Sequence, residues 1–237
     1  MRIVFDKELV LSQHFILRHL PREQLRELAA RTYLDNFDRG GVIFQKGDPG
    51  DSMMAVIRGK VKICTHSTDG KELVLNIINH GGLFGEIALL DGEPRSADAI
   101  ALEPTDILIL ERAKFIPFLI GQPELTTRLI ALLCKRLRQT SDHLEDTMFL
   151  EAPSRLARAL LRLGENFGKP AGNGSRIDIK LSQSQLGSIV GLSRESVNKH
   201  LGEWEDAGMI SRESGIITLH DRDGLEEVAQ PTKLQEL

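Results

Sequence analysis

Gripping a phosphodiester anion requires a counter-ion, backbone N–H donors and little steric bulk at one point. The stretch Phe84-Gly85-Glu86-Ile87-Ala88-Leu89-Leu90-Asp91-Gly92-Glu93-Pro94-Arg95-Ser96 supplies all three. Gly85 has no Cβ and lets backbone approach closely. The apolar run Ile87-Ala88-Leu89-Leu90 suits one short helical turn whose first N–H groups point at an anion. Arg95 carries a planar charged fork that fits phosphate oxygens, and Ser96 adds a hydroxyl beside it. Glu86 can accept from a sugar hydroxyl. A Gly-Glu pair with an arginine nine residues later also reads as a buried ion pair, so the fragment taken alone leaves both readings open.

A second set of residues carries different chemistry. Ser182-Gln183-Ser184-Gln185 has the capping-box spacing, a serine followed three residues later by glutamine. The helix it starts places Leu186, Ile189 and Val190 on one face. Gly191-Leu192 makes a tight turn, and Ser193 caps a second helix with Val197, Leu201 and Trp204 facing inward. Arg194, Glu195, Asn198 and Lys199 share the opposite face, and His200 follows them. Helix, short glycine turn and helix make a helix-turn-helix. Arginine or lysine binds guanine bidentately and glutamate accepts from the cytosine amino group, so the outward set, with Ser182 and Ser193 at the helix starts, is a candidate DNA reader. A helical bundle that binds protein or nothing is the competing reading.

Three groups of elements must position these residues. Up to about residue 40 the chain mixes short helical patterns, with Leu25, Leu28 and Ala29 on one face after Pro21. From about 38 to 110, β-rich runs (Val42–Phe44, Met53–Ile57, Val61–Cys64, Leu73–Ile78, Ala99-Ile100 and Ile107–Leu110) alternate with glycine turns. Such spacing predicts a β-sandwich or barrel. A long helix follows over roughly 124–150, after Pro123. Ile130, Leu133, Leu137, Thr140, Leu144 and Thr147 fall at alternating spacings of three and four, a heptad seam for a two-helix dimer, with packing on the helix's own domain as the alternative. Glu151-Ala152-Pro153 is the expected hinge. Beyond it the pattern predicts a helix over Ser154–Gly164, a flexible loop over Gly168–Ser175, a strand over Arg176–Leu181, the two reading helices within about 182–204, and a hairpin from Met209 to Leu219.

Composition limits the function classes. The chain has 237 residues, 41% hydrophobic and 27% charged, which suits one large or two ordinary soluble domains. The longest apolar runs fall short of a membrane span. The start, Met1 to Asp6, lacks the pattern of a secretion signal. Cys64 and Cys134 suit free thiols in the cytoplasm and have no metal-ligand spacing, so no metal is expected. Net charge is −4, and from Glu151 onward eleven Lys+Arg stand against thirteen Asp+Glu. Any DNA contact must therefore be local, and the stretch 176–202, with a net +2, is the place for it.

The string Phe84–Ala97 closely resembles the phosphate-binding cassette of cyclic-nucleotide-binding domains, F-G-E-x-A-L-L-x-x-x-P-R-S-A. With Arg138-Gln139-Thr140-Ser141 and Ile189-Val190-Gly191-Leu192-Ser193-Arg194-Glu195-Ser196-Val197, nearly the whole chain resembles the CRP/FNR family of bacterial transcription regulators, within it the cyclic AMP receptor group. The resemblance implies an α+β fold: a jelly-roll-like β-roll over 1–122, a dimerisation helix and hinge over 123–150, and a winged helix-turn-helix domain over 151–237. It implies cyclic AMP as allosteric ligand, held by Gly85, Glu86, Ile87, Ala88, Arg95, Ser96 and Ala97, with Thr140 and Ser141 at the purine. Cyclic GMP, another effector or none stays open. It further implies a homodimer on a palindromic operator, contact with RNA polymerase, and no catalysis. The seven scattered histidines and the lack of a nucleophile motif agree with a non-enzyme. Two departures touch the DNA side: Lys199 stands where the family has a second arginine, and Asn198 where it has a small residue, which leaves the half-site open. The N-terminal cysteine cluster of the iron–sulfur members is absent from the sequence, and Cys64, His66 and His80 are read as ordinary strand and turn residues rather than haem ligands.

Overall fold

The computed structural model describes residues 6–13, 17–172 and 174–230. Its chain divides into two compact units, residues 1–66 with 74–137, and residues 67–73 with 138–237.

The first unit is built on strands buried on both faces. β3 (Ser52–Arg58) is buried at five consecutive positions, Met53 to Ile57. Alternation sends Met53, Ala55 and Ile57 to one side and Met54 and Val56 to the other. Around it lies a four-stranded sheet of β1 (Thr32–Phe37), β8 (Thr105–Glu111), β3 and β6 (Leu83–Phe84), paired antiparallel. A second sheet holds β2 (Val42–Phe44), β7 (Asp98–Ala101), β4 (Val61–His66) and β5 (Glu72–Ile78). Met54, Val56, Val61, Phe84, Ile107 and Ile109 pack together as the roll interior. The opposite face of the first sheet packs Met53, Ala55, Leu108 and Leu110 against helices α1 (Lys7–Gln13), α2 (Arg22–Ala30), α4 (Arg112–Ile120) and α5 (Pro123–Phe149). From α5 it takes Leu125, Leu129 and Leu132. Between β6 and β7 sits the six-residue helix α3 (Glu86–Asp91), framed by Gly85 at φ 77° and Gly92 at φ 81°, both in the left-handed region that favours glycine.

In the second unit α6 (Ala152–Phe167) packs with β9 (Gly168–Ala171), β10 (Gly174–Ile177), α7 (Gln183–Val190), α8 (Arg194–Asp206), β11 (Ile210–Glu213), β12 (Ile216–Leu219) and α9 (Arg222–Val228). The strands form one sheet in the order β11-β12-β10-β9. Asp146 ties the end of α5 into this unit. Its side chain is 4% exposed, and its two oxygens accept from Arg158 and Arg162 of α6, each at 2.6 Å. Arg158 Nε also donates to the Ala229 carbonyl at 3.0 Å.

Several expectations need correction. The segment Gly168–Ser175 is not a loop: it forms β9, a turn and the start of β10, because Gly172 at φ 57° lets the chain reverse and the flanking backbone pairs. The strand expected to Leu181 ends at Ile177. The helix expected from Ser154 starts at Ala152, with Pro153 in its first turn, where a missing N–H costs nothing, and it runs on to Phe167. Thr32–Phe37, expected within a helical region, is the strand β1. Asn173, and Met1 to Phe5 of the N-terminal reading, lie outside the described residues. Cys64 and His66 lie on β4, and His80 lies just after β5 with Nδ1 2.6 Å from the Ile57 carbonyl.

His143, one turn before Asp146, has its pKa pulled below the ordinary histidine value, first by burial and then by the Arg162 charge, with Asp146 opposing. A folded-state pKa lowered in this way favours the neutral ring. Its contribution to stability is whole above the unfolded value of about 6.5 and is lost as pH falls below it. Lowering pH from about 7.5 to about 5.5 is therefore expected to destabilise the second unit by less than about 1.4 kcal/mol per pH unit. His143→Gln is expected to flatten that dependence. Urea unfolding followed by fluorescence of Trp204, the chain's single tryptophan, reads this unit.

Candidate nucleotide pocket and nucleic-acid interface

The cassette residues are brought together around a buried cation. Arg95 is 4% exposed. Its Nη1 donates to the Ser52 carbonyl at 2.6 Å and to the Gly85 carbonyl at 3.0 Å, and its Nη2 donates to Ser52 Oγ at 2.9 Å. The guanidinium lies 4.3 Å over the Phe44 ring. Burial pulls the Arg95 pKa below the ordinary arginine value, while Asp51, Asp48 and Glu86 oppose the shift. Arg95 Nε is buried without a partner. A Cβ on Gly85 would stand 2.8 Å from Arg95 Nη1, so only glycine fits there. A cavity of about 420 Å³ opens beside Arg95, with Phe44, Met54 and Ile109 in its walls and Asp35 and Asp51 at its polar side.

Glu86 is 0% exposed. One oxygen accepts from Arg136 of α5, whose second guanidinium nitrogen donates to the Leu83 carbonyl. The other oxygen, Oε2, is buried without a partner. The ion pair that the Gly-Glu fragment left open therefore exists, with Arg136 rather than Arg95. Sequence reasoning missed Arg136. Its signal was its place one helical turn before Thr140, together with the cation that any buried glutamate requires.

Ala88 and Ala97 are buried, whereas Ile87 is 45% exposed and Ser96 is exposed. Thr140 and Ser141 lie on the exposed surface of α5 in the second unit. Of the seam residues, Ile130, Leu137 and Leu144 are exposed apolar side chains at seven-residue intervals, and Leu133 is half-buried.

In the second unit both reading-helix caps form. Ser182 Oγ accepts from Gln185 N–H at 3.2 Å, and Ser182 N–H donates to Gln185 Oε1 at 2.9 Å. Ser193 Oγ accepts from Ser196 N–H at 3.1 Å. Each hydroxyl thus keeps its own hydrogen to donate. The turn closes with Gly191 at φ 68°, and a Cβ on Gly187 would stand 2.4 Å from the Leu192 carbonyl oxygen. Arg194, Glu195, Asn198 and Lys199 are exposed. The Glu195 carboxyl is held below its ordinary value by a hydrogen bond from its own backbone N–H and by Ser193. Lys199 pairs with Glu203 at 3.9 Å. His200 is not brought into this set. Its side chain is 14% exposed, its Nδ1 is 3.1 Å from Glu203 and its ring stacks on Trp204.

The cyclic nucleotide-binding domain family matches residues 34–120, and the Crp-like helix-turn-helix domain family matches residues 154–228. The chain is 33% identical over 216 residues to a CRP-like cAMP-activated global transcriptional regulator of Mycobacterium tuberculosis, covering 91% of this chain and 96% of that protein. It is 34% identical over 193 residues to the cyclic AMP receptor protein of Thermus thermophilus, covering 81% and 86%. A solved CRP/FNR-family transcriptional regulator from Thermus thermophilus superposes with a TM-score of 0.69 at 30% identity, covering 83% of this chain and 98% of that one.

The Glu86–Arg136 pair makes its own prediction. Removing one partner leaves a buried charge, whereas neutralising both removes the need for it. Arg136→Met is expected to cost about 3 kcal/mol of first-unit stability. Adding Glu86→Gln is expected to restore most of that loss, as read by urea unfolding followed by far-ultraviolet circular dichroism.

Proposed function

The chain belongs to the CRP/FNR family of transcription regulators, and we propose that its effector is cyclic AMP, held in the β-roll and felt by the reading helices. One observation carries this reading. The cassette buries two unpartnered polar atoms of opposite sense, the donor Arg95 Nε and the acceptor Glu86 Oε2. A buried unpaired polar group is costly. A nucleotide supplies the missing partners, a phosphate oxygen for the arginine and a ribose hydroxyl for the glutamate. Gly85, Ile87, Ala88, Ser96 and Ala97 shape the backbone around the phosphate. Thr140 and Ser141 meet the purine, a role that in a two-fold dimer lets one hydroxyl serve its own subunit's ligand and the other its neighbour's. The name of the Mycobacterium tuberculosis relative, cAMP-activated, supports the choice of nucleotide.

The remaining parts follow from this reading. Residues 1–122 bind the effector, 123–150 dimerise, and 151–237 read DNA. Ile130, Leu137 and Leu144, with Leu133 and Thr140 beside them, form the seam of a parallel helix pair, and the exposed apolar stripe supports this. A symmetric dimer reads a palindrome with half-sites about 34 Å apart. Arg194, Glu195 and Lys199 face base edges. Ser182 and Ser193 donate to phosphates. The protein acts in the cytoplasm, touches RNA polymerase and catalyses no reaction. The nucleotide switches it only by binding the DNA-competent state more tightly than the other.

Calorimetry with cyclic AMP and with cyclic GMP tests the effector. Saturable heat with cyclic AMP is expected, and no heat with either nucleotide refutes the reading. Arg95→Leu is expected to weaken cyclic AMP binding about 10- to 100-fold, the worth of a hydrogen bond to a charged group. Gel shifts with cyclic AMP present test the reader. Arg194→Ala is expected to weaken operator binding about tenfold, and binding equal to that of the parent removes α8 from the DNA.

A further inference from the structure

Between the start of α7, α8 and the β11–β12 wing lies a groove of about 660 Å³, floored by Leu186, Leu201 and Ile217. Four polar side chains on its rim form a chain of hydrogen bonds. Arg212, on the wing, donates through Nε and Nη2 to Glu205 Oε2 at 3.0 and 2.6 Å, and its backbone N–H donates to Glu205 Oε1 at 3.0 Å. With its fork fixed on α8, Arg212 donates through Nη1 to Asn198 Oδ1 at 3.2 Å. Gln183, the first residue of α7, donates through Nε2 to the same oxygen at 3.2 Å.

Arginine has five donors and no acceptor, so the atom of Asn198 that faces Arg212 is its carbonyl oxygen. The orientation of the Asn198 amide is thereby set by the wing. An asparagine on a reading helix usually pairs with adenine bidentately, and that pairing uses both its oxygen and its nitrogen. Here the oxygen already accepts two hydrogen bonds. The two Nδ2 hydrogens make no hydrogen bond among the described residues.

We propose that Asn198 determines base specificity as a donor only, held in that sense by Arg212 and Gln183. It selects a base edge that presents acceptors in the major groove: guanine with O6 and N7 first, thymine with O4 second. It disfavours the amino groups of adenine and cytosine. The inference rests on α8 entering the major groove.

Selection of operators from a randomised duplex library, with cyclic AMP present, tests it for the full-length protein, Asn198→Ala, Arg212→Met and Arg194→Ala. The parent is expected to enrich guanine, then thymine, at a base pair whose preference falls about fivefold or more in Asn198→Ala. Arg212→Met removes the charged donor and leaves only the neutral Gln183 bond on the oxygen, an amide that can turn with its partner, so adenine is expected to become accepted at that same pair. Arg212→Lys keeps a donor and is expected to keep the parent preference. Adenine or cytosine at that pair in the parent overturns the proposal. So does an Asn198→Ala variant that binds all sequences more weakly in equal measure, the sign of a phosphate contact, or one that leaves every preference intact. If Arg194→Ala also changes nothing, the failure belongs to the placement of α8 on DNA instead.

Discussion

A buried carboxylate governs the first unit. Glu86 sits at the start of α3 with no exposed surface. An ionised carboxylate in such surroundings costs several kcal/mol unless it is paired. Its partner comes from fifty residues further on, the Arg136 guanidinium of α5. The cassette and the long helix are therefore energetically one object. A change in how Glu86 is satisfied is a change in what holds α5, because the same guanidinium also ties down the Leu83 carbonyl. Only one carboxylate oxygen is engaged, so the pairing is stable and incomplete at once. That combination suits a switch better than a fully satisfied site, since a ligand hydroxyl then has differential energy to contribute.

Arg95 shows the same economy from the cationic side. Three of its hydrogen bonds hold backbone and side chain at Ser52 and Gly85, which keeps the cassette shaped before any anion arrives. Preorganisation of this kind removes part of the ordering cost of binding. At the other end of α5, Asp146 is bound by two arginines of α6 and is nearly as buried as Glu86. The helix thus takes part in one ion pair in the first unit, through Arg136, and in two in the second, through the buried Asp146.

What the sequence disclosed follows the range of the forces involved. The residues that shape the cassette lie close in the chain, so the string carrying Gly85, Glu86 and Arg95 was legible, as were the two caps at Ser182 and Ser193. Strands buried on both faces announced themselves as apolar runs between glycines. β1 did not, because Thr32-Tyr33-Leu34-Asp35-Asn36-Phe37 lacks alternation and is a strand by pairing with β8, which is remote in the sequence. The β9–β10 hairpin hid behind glycine and proline, which signal turns more strongly than the short pairing around them. Arg136 was invisible for the same reason as β1: its role is defined by a residue remote in sequence. The stacking of the His200 ring on Trp204 was not legible from helical position alone.

Net charge says little about the exposed face of α8, and the reason lies in pairing. The second unit's acidic excess includes Glu205, whose two oxygens are taken by Arg212, and Glu203, which faces both Lys199 and His200. Asp146 is buried between two arginines. Charges satisfied inside the protein contribute little to the field that an approaching polyanion meets, because each pair acts as a short dipole whose effect fades within a Debye length. Arg194 makes no ion pair or hydrogen bond among the described residues and stands exposed at the first position of α8, beside the capped helix start. A surface of net negative charge can therefore present a locally positive edge to DNA, with its direction set by which charges the fold has left unpaired.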